Sequence, residues 1–169
     1  MPDRTSAAVE PITGRHVADA LAALGITHAV YLPDAVTGTW EGDLHASPVR
    51  LVRVCREGEA WPLAFGLRLG GARPLVIMQC TGLFESGDAL RNVVFDFGEP
   101  LYALVGYRSY LIEGSRDTAR RFTEPIVDAW NLDHVLVETA ADVAKLVAHY
   151  RACQTAGRPG IALVAEGRM

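Results

Sequence analysis

The chain has 169 residues, of which 50% are hydrophobic and 21% charged, and its formal net charge is −4. This composition supports one hydrophobic core, so we expect a single domain, residues 13–169, preceded by a flexible segment, residues 1–12. The acidic balance without a Lys/Arg-rich block argues against a nucleic-acid partner, and the lack of a long apolar stretch or signal core predicts a cytoplasmic protein with no membrane partner.

Short β-rich runs alternate with helical stretches along the chain. The pattern begins with a helix that starts at Thr13 as N-cap and ends at Gly25. Six nearly continuous apolar runs predict strands at His28–Leu32, Arg50–Val54, Pro74–Gln79, Leu101–Gly106, His134–Val137 and Gly160–Ala165. Further helices are predicted near Glu57–Gly70, Ser86–Phe97, Thr118–Trp130 and Ala141–Ala156. Strands that are apolar on both sides are typical of a three-layer α/β/α domain with a mostly parallel six-stranded sheet.

Polar residues follow four of the predicted strands directly. They are Asp34 after the first strand, Glu57 after the second, Thr81-Gly82 after the third and Arg108 after the fourth. Parallel strands end at one edge of a sheet, which is where open α/β sheets bind ligands. These residues are therefore predicted to line one cleft although they are distant in sequence.

The cysteines and histidines predict no metal site. Cys55, Cys80 and Cys153 are odd in number and lack the CxxC spacing of zinc ligands, so we interpret them as small core residues. The five histidines include no pair at metal-ligand spacing on one helix.

Glu57 is the residue that carries most information. From position alone, a carboxylate that opens a helix after a buried strand is ordinarily a charge stabilised by the helix dipole. The spacing from Arg56-Glu57 to Phe65-Gly66, however, resembles the glutamate motif of the pyrimidine-binding (PYR) domain of thiamine diphosphate enzymes. Glu59, two residues on, is the rival candidate for that glutamate.

Eight further segments bear on this resemblance by their order and spacing: Gly25–His28, Leu32–Asp34, Val54–Glu57, Met78–Leu83, Glu99–Leu101, Gly106–Arg108, Ile126–Ala129 and Arg158–Leu163. Together they resemble the alpha subunit of sulfopyruvate decarboxylase and the related phosphonopyruvate decarboxylases. The resemblance implies that Glu57 hydrogen-bonds to the aminopyrimidine ring of thiamine diphosphate and activates the cofactor for decarboxylation of a 2-oxo acid. It also implies that Thr81, Gly82 and Leu83 contact the cofactor.

The resemblance covers only half of a cofactor site. Thiamine diphosphate enzymes hold the diphosphate through Mg²⁺ on a domain with a Gly-Asp-Gly segment followed by asparagines, and this sequence has none. Ser86-Gly87-Asp88-Ala89 lacks the second glycine and is interpreted as a helix start capped by Ser86 or Asp88. The resemblance therefore implies a separate diphosphate-binding beta subunit that holds most of the cofactor and Mg²⁺, with homodimerised alpha chains in an α2β2 or larger assembly.

Two residues are candidates for substrate binding. Asp34 occupies a loop where related decarboxylases carry a polar residue, but an Asx turn explains it equally well. The guanidinium of Arg108 could bind a carboxylate, sulfonate or phosphonate, but it could also form a surface salt bridge with Glu113 or Asp117. For Thr81-Gly82, the plain alternative is a strand-to-helix turn that requires glycine.

The sequence departs from the family at Phe84-Glu85, where a small Gly-Asn pair is usual, and at Ser109, where a glycine is usual. We expect a bulkier, more acidic pocket floor, in which Glu85 would repel a doubly charged substrate. The predicted function is the alpha subunit of a thiamine diphosphate-dependent 2-oxo acid decarboxylase of the sulfopyruvate/phosphonopyruvate type.

Three alternatives remain open: a carboligase with the same cofactor, a non-catalytic PYR-like partner, and a flavodoxin-like nucleotide binder. The last is disfavoured because the turn Pro33–Val36 contains no glycine-rich phosphate cradle.

Overall fold

The computed structural model describes residues 10–167. Its six strands form one fully parallel sheet in the order β2-β1-β3-β4-β6-β5. The strands are β1 His28–Tyr31, β2 Arg50–Arg53, β3 Pro74–Gln79, β4 Tyr102–Tyr107, β5 Asp133–Val137 and β6 Gly160–Ala165. The predicted three-layer parallel fold is therefore confirmed.

Within residues 10–167, seven α-helices cover the two faces of the sheet. They are α1 Gly14–Ala23, α2 Glu41–His45, α3 Glu57–Leu69, α4 Cys80–Glu85, α5 Gly87–Arg91, α6 Thr118–Ala129 and α7 Val143–Thr155. A π-helical turn, Asn92–Asp96, extends α5, and 3₁₀ turns precede α2 and α7. Thr13 caps α1 as predicted, because its side chain accepts a hydrogen bond from the His16 N–H.

Alternating residues of each strand enter two separate hydrophobic cores, as the two-residue period of a strand requires. On one face, Val76, Met78 and Val105 pack with Trp61 of α3 and with residues of α4 to α6. On the other face, neighbouring strand residues pack with residues of α1, α2 and α7. The central strands β3 and β4 are buried along nearly their whole length, which explains their continuous apolar sequences.

Two stretches differ from the predicted elements. The segment after β1 forms a 3₁₀ turn, Thr37–Trp40, and the five-residue helix α2, where no helix was predicted. These short helices bury Trp40 and Leu44 in the second core. The helix after β3 begins at Cys80 rather than Ser86, so Thr81, Gly82 and Leu83 lie in a helix and not in a turn.

Most of the predicted flexible segment, residues 1–9, lies outside the described residues. Within its remainder, the Glu10 carbonyl accepts a 3.0 Å hydrogen bond from the Ala140 N–H, and Ile12 packs against the second core. None of the helices between residues 10 and 167 combines the length and the apolar character needed to cross a membrane.

Candidate active site at the carboxyl edge of the sheet

The parallel sheet brings the predicted site residues to one edge. Asp34 follows β1, Glu57 follows β2, Thr81 follows β3 and Arg108 follows β4. Because all strands run in the same direction, these positions all lie beyond the strands' carboxyl ends. A fifth polar residue at this edge, Glu166, follows β6 and was not predicted.

Glu57 opens α3, and its side chain lies across Gly82 in the first turn of α4. A Cβ atom added at Gly82 would fall 2.7 Å from Glu57 Cδ and still closer to Cγ and Oε1. Only glycine therefore lets the carboxylate occupy this place. Glu57 and the Thr81-Gly82 segment, which were predicted to line one cleft, therefore meet in a direct contact between α3 and α4.

Glu59 has a different task from Glu57. Its Oε2 accepts a 3.1 Å hydrogen bond from the N–H of Cys55, the residue before the N-cap of α3. This bond ties the Glu59 side chain to the backbone that leads into α3 and gives its carboxylate a structural role. The geometry thus favours Glu57 over its rival as the glutamate of the site.

Glu85 also supports the start of α3. It forms an ion pair with Arg56, and its Oε2 accepts a 2.9 Å hydrogen bond from the Gly58 N–H. The Arg56 guanidinium, followed by the Gly58 N–H, lowers the pKa of the Glu85 carboxyl. Its charge is therefore balanced within the protein, and Glu85 fixes the segment that carries Glu57 rather than presenting an uncompensated charge to the substrate.

Phe84, which was expected to form part of the pocket floor, lines a separate cavity. This apolar cavity has a volume of about 180 Å³ and lies between α4, α5 and α6. Other residues around this cavity are Leu83, Gly87, Leu90, Ile126, Trp130 and Leu132.

The remaining residues of α4 are held by short contacts. The exposed Thr81 donates from Oγ1 to Gln79 Oε1 over 2.8 Å, and Leu83 is 3% exposed. Ser86 was predicted as a possible cap of α5, but its side chain makes no capping hydrogen bond. Its hydroxyl instead accepts a 2.9 Å bond from Trp61 Nε1 and donates to the Leu83 carbonyl. This buried contact joins α3 to α4 and so holds Glu57 and Gly82 in register.

Asp34 forms the Asx turn that was one of its two explanations. Its Oδ1 accepts hydrogen bonds from the N–H groups of Val36 at 2.7 Å and Thr37 at 2.8 Å. Its Oδ2 is buried and has no hydrogen-bond partner among the described residues. Oδ1 of Asp34 therefore stabilises the turn after β1, whereas Oδ2 is buried at the edge of the sheet without a partner among the described residues.

Arg108 forms the salt bridge that was its alternative explanation. Its Nε lies 2.9 Å from Asp117 Oδ2, which also accepts a 2.9 Å bond from the Ser109 hydroxyl. Ser109 has a φ of 58°, in the left-handed region that favours glycine. A guanidinium has five N–H donors, so the ion pair with Asp117 does not exhaust its capacity.

Glu166 is the functional candidate that sequence reasoning missed. It is 1% exposed, and neither carboxylate oxygen has a hydrogen-bond partner among residues 10–167. Burial raises its pKa to about 8, the Asp34 charge adds to the rise, and Arg108 opposes it. A carboxylate after an apolar strand is a positional signal that Glu57 also carries, and it was available at Val164-Ala165-Glu166. Glu57 was selected by its additional spacing to Phe65-Gly66, which Glu166 lacks.

The described residues contain one group of three adjacent metal-ligating side chains, Asp133, His149 and Cys153. It lies at the opposite, amino edge of the sheet, beside the first residues of β4 to β6. Tyr102 Oη lies 2.7 Å from His149 Nδ1, and Arg158 Nη2 lies 3.3 Å from Asp133 Oδ2. These partners account for the orientation of the group, and the expected lack of metal ligands stays a prediction.

No family model matches the sequence, and no curated protein matches it either. Among solved structures, the 2-oxoglutarate:ferredoxin oxidoreductase from Magnetococcus marinus, determined with 2-oxoglutarate, coenzyme A and succinyl-CoA bound, aligns over 90% of this chain. The TM-score is 0.65 and the sequence identity 12%. The chain spans 28% of that protein's chain. This likeness shows that the fold is shared with part of an enzyme that binds a 2-oxo acid.

Proposed function

We propose that this chain is the alpha, PYR-type subunit of a two-subunit, thiamine diphosphate-dependent 2-oxo acid decarboxylase of the sulfopyruvate/phosphonopyruvate type. The observation that carries the proposal is the Glu57 carboxylate lying across Gly82 at the carboxyl edge of a parallel sheet. The fold shared with a 2-oxoglutarate oxidoreductase supports a place in 2-oxo acid chemistry. The reaction type rests on the sequence resemblance.

Glu57 is positioned to hold a pyrimidine ring by one hydrogen bond. Its carboxylate projects from the first residue of α3, with Gly82 beneath it and the Arg56–Glu85 ion pair beside it. When bound, thiamine diphosphate supplies the electron sink for loss of carbon dioxide. The task of Glu57 is to orient that cofactor and to exchange a proton with its ring, whereas Glu59 ties its side chain to the backbone that leads into α3.

The residues of this edge suit the pyrimidine half of the cofactor only. Gly82 leaves room for the carboxylate, but the metal-ligating group found among residues 10–167 lies at the other edge of the sheet. The diphosphate and Mg²⁺ would therefore be held mainly by a partner beta subunit. Thr81, Gly82 and Leu83 would form the wall beside the ring.

Exposed apolar side chains support an assembly with other subunits. In α3, Leu69 is 71% exposed, and after the π-helical turn Phe97 is 64% exposed and packs against Phe65 at 5.1 Å between ring centroids. Leu63 and Phe95 are also exposed in the same two elements. Contiguous exposed apolar patches commonly mark protein contacts. We place a subunit contact of the proposed α2β2 assembly here.

The test is carbon dioxide release by the chain co-expressed with the Gly-Asp-Gly-bearing subunit of its source organism. The complex is supplied with thiamine diphosphate, Mg²⁺ and a panel of sulfonated, phosphonated and unsubstituted 2-oxo acids. Glu57→Gln is expected to reduce turnover by about 10²- to 10⁴-fold, because it removes the proton-exchanging group. Calorimetric titration of the cofactor into the same complexes separates binding from turnover.

The matched control is Glu59→Gln, which removes the other carboxylate of the same helical turn. It should weaken the helix start and leave turnover within a few-fold of the unaltered complex. Normal turnover by Glu57→Gln would contradict the role of Glu57 in activating the cofactor. Tight cofactor binding by the isolated chain would contradict the proposal that this chain holds only the pyrimidine half of the cofactor. A condensation product in place of an aldehyde would assign the complex to the carboligases.

A further inference from the structure

Glu166 and Asp34 together place three unpaired carboxylate oxygens inside the protein. Both oxygens of Glu166 and Oδ2 of Asp34 are buried and lack hydrogen-bond partners among the described residues. Burying an ionised carboxylate without a donor is costly, and such a group normally takes up a proton instead. The Glu57 site does not use these atoms.

The two carboxyl groups converge on the space above Gly106. A Cβ atom added there would collide with Glu166 Oε1 and lie 3.4 Å from Asp34 Oδ2. Gly106 is therefore required for Glu166 to fit, as Gly82 is for Glu57. The Asx turn fixes the other oxygen of Asp34 on the Val36 and Thr37 N–H groups, so Oδ2 has little freedom to turn away.

The charged and titratable groups around Glu166 come from three other elements. Asp34 follows β1, Arg108 follows β4 and Cys80 opens α4; burial raises the pKa of the Cys80 thiol, and the Glu166 charge adds to that rise. Arg108 is the one cation of the set, and it is already paired with Asp117. Two adjacent carboxylates that lack a dedicated cation cannot both ionise cheaply.

We propose that Asp34 and Glu166 share a single proton above Gly106, and that this proton leaves Arg108 able to bind the anionic group of a 2-oxo acid. With the proton present, Asp117 is the one carboxylate paired with Arg108. When the proton leaves for water, Asp34 and Glu166 are both negatively charged, and Glu166 competes with the substrate for the guanidinium of Arg108. Glu166 is thus a positioning residue that acts through Arg108.

The binding of a 2-oxo acid by Arg108 rests on the proposed function, whereas the proton shared by Asp34 and Glu166 does not. The first experiment therefore uses infrared spectroscopy of the full chain without substrate, from about pH 5 to about pH 10. The unaltered chain should keep the C=O band of a protonated carboxyl well above neutral pH and lose it with a midpoint near 8. Glu166→Gln should lack the band, and Asp34→Asn should lose it at a lower pH.

Loss of the whole carboxyl signal at the pH of ordinary glutamates would overturn the shared proton. So would a band that persists unchanged in Glu166→Gln. Because neither result involves turnover, both remain interpretable if the chain proves to have no decarboxylase activity. Glutamine keeps the size of the side chain and stays neutral, so the variant is a mimic of the protonated state.

The second experiment measures KM and kcat of the complex for a sulfonated and an unsubstituted 2-oxo acid across the same pH range. In the unaltered complex KM should rise by at most about tenfold for each pH unit above 8, the limit for loss of one proton, while kcat changes little. Glu166→Gln should keep KM flat, and Arg108→Gln should raise KM at every pH. A parallel rise of KM in Glu166→Gln would refute the coupling to Arg108 and leave the infrared result standing.

Discussion

Two glutamates of this protein lie over glycines at the same sheet edge, yet they have opposite surroundings. Glu57 lies over Gly82 on the face covered by α3 and α4, and it is half-buried. Glu166 lies over Gly106 on the opposite face, under the segment that follows β1, and it is 1% exposed. A glycine makes room for a carboxylate in both places. Solvent access decides whether that carboxylate can meet a ligand or must hold a proton.

The largest expected effect is on the stability of the fold as pH changes, and it tests Glu166, the buried glutamate of the two. A folded-state pKa of about 8 for Glu166 exceeds the ordinary value of a glutamate, so the protonated form stabilises the fold. This stabilisation is complete below about pH 4.3, where the unfolded carboxyl is also protonated. It falls by about 1.4 kcal/mol per pH unit above that and is lost once the pH passes the folded-state pKa.

Urea unfolding of the full chain at several pH values measures this slope. Glu166→Gln should remove it, because an amide does not titrate, and the variant should be the more stable protein at alkaline pH. Glu57→Gln is the matched control, and its stability should follow that of the unaltered chain over the same range. Equal slopes for Glu166→Gln and the unaltered chain would contradict a buried, protonated Glu166.

The second prediction concerns the glycine beneath Glu166. In Gly106→Ala the new methyl group would meet a carboxyl that is enclosed on all sides, so the strand or Glu166 must shift. We expect a loss of about 1–3 kcal/mol in the free energy of unfolding, as for other overpacked core sites. The double variant Gly106→Ala/Glu166→Ala should recover part of this loss. Additive effects in that double-mutant cycle would mean that the two positions do not interact.

The contrast between the two glutamates also shows what the sequence can predict. All six strands were predicted from their apolar runs, and the central run Pro74–Gln79 is continuous because β3 is buried on both faces. Glu57 was singled out by its spacing to Phe65-Gly66 in addition to its place after a strand, whereas Glu166 offers only the second of these two signals. The shared proton could not be predicted, since it depends on Asp34 and Gly106, which only the folded sheet brings together.

The two stretches that sequence analysis missed have different physical causes. Helix α2 has five residues, Glu41–His45, too few to show a helical period, and the packing of Trp40 and Leu44 stabilises it. The start of α4 was hidden because Cys80-Thr81-Gly82 has the composition of a turn. Its glycine is retained for the contact with Glu57, and not for a positive φ angle.

The smallest expected effect on stability concerns Gly82, the glycine beneath the half-buried Glu57. The same substitution is expected to lower turnover strongly, so it separates an effect on folding from an effect on function. In Gly82→Ala the methyl group displaces the Glu57 carboxylate, which can turn towards solvent, and alanine is favoured over glycine in a helix by about 1 kcal/mol. The free energy of unfolding should therefore change by less than about 1 kcal/mol, in contrast to Gly106→Ala. Carbon dioxide release by the complex should nevertheless fall nearly as far as in Glu57→Gln, because the carboxylate is no longer held in place. Urea unfolding and turnover measured on one preparation decide the matter: a large loss of stability would show that Glu57 is as confined as Glu166, and full turnover would show that its position over Gly82 is not needed for the reaction.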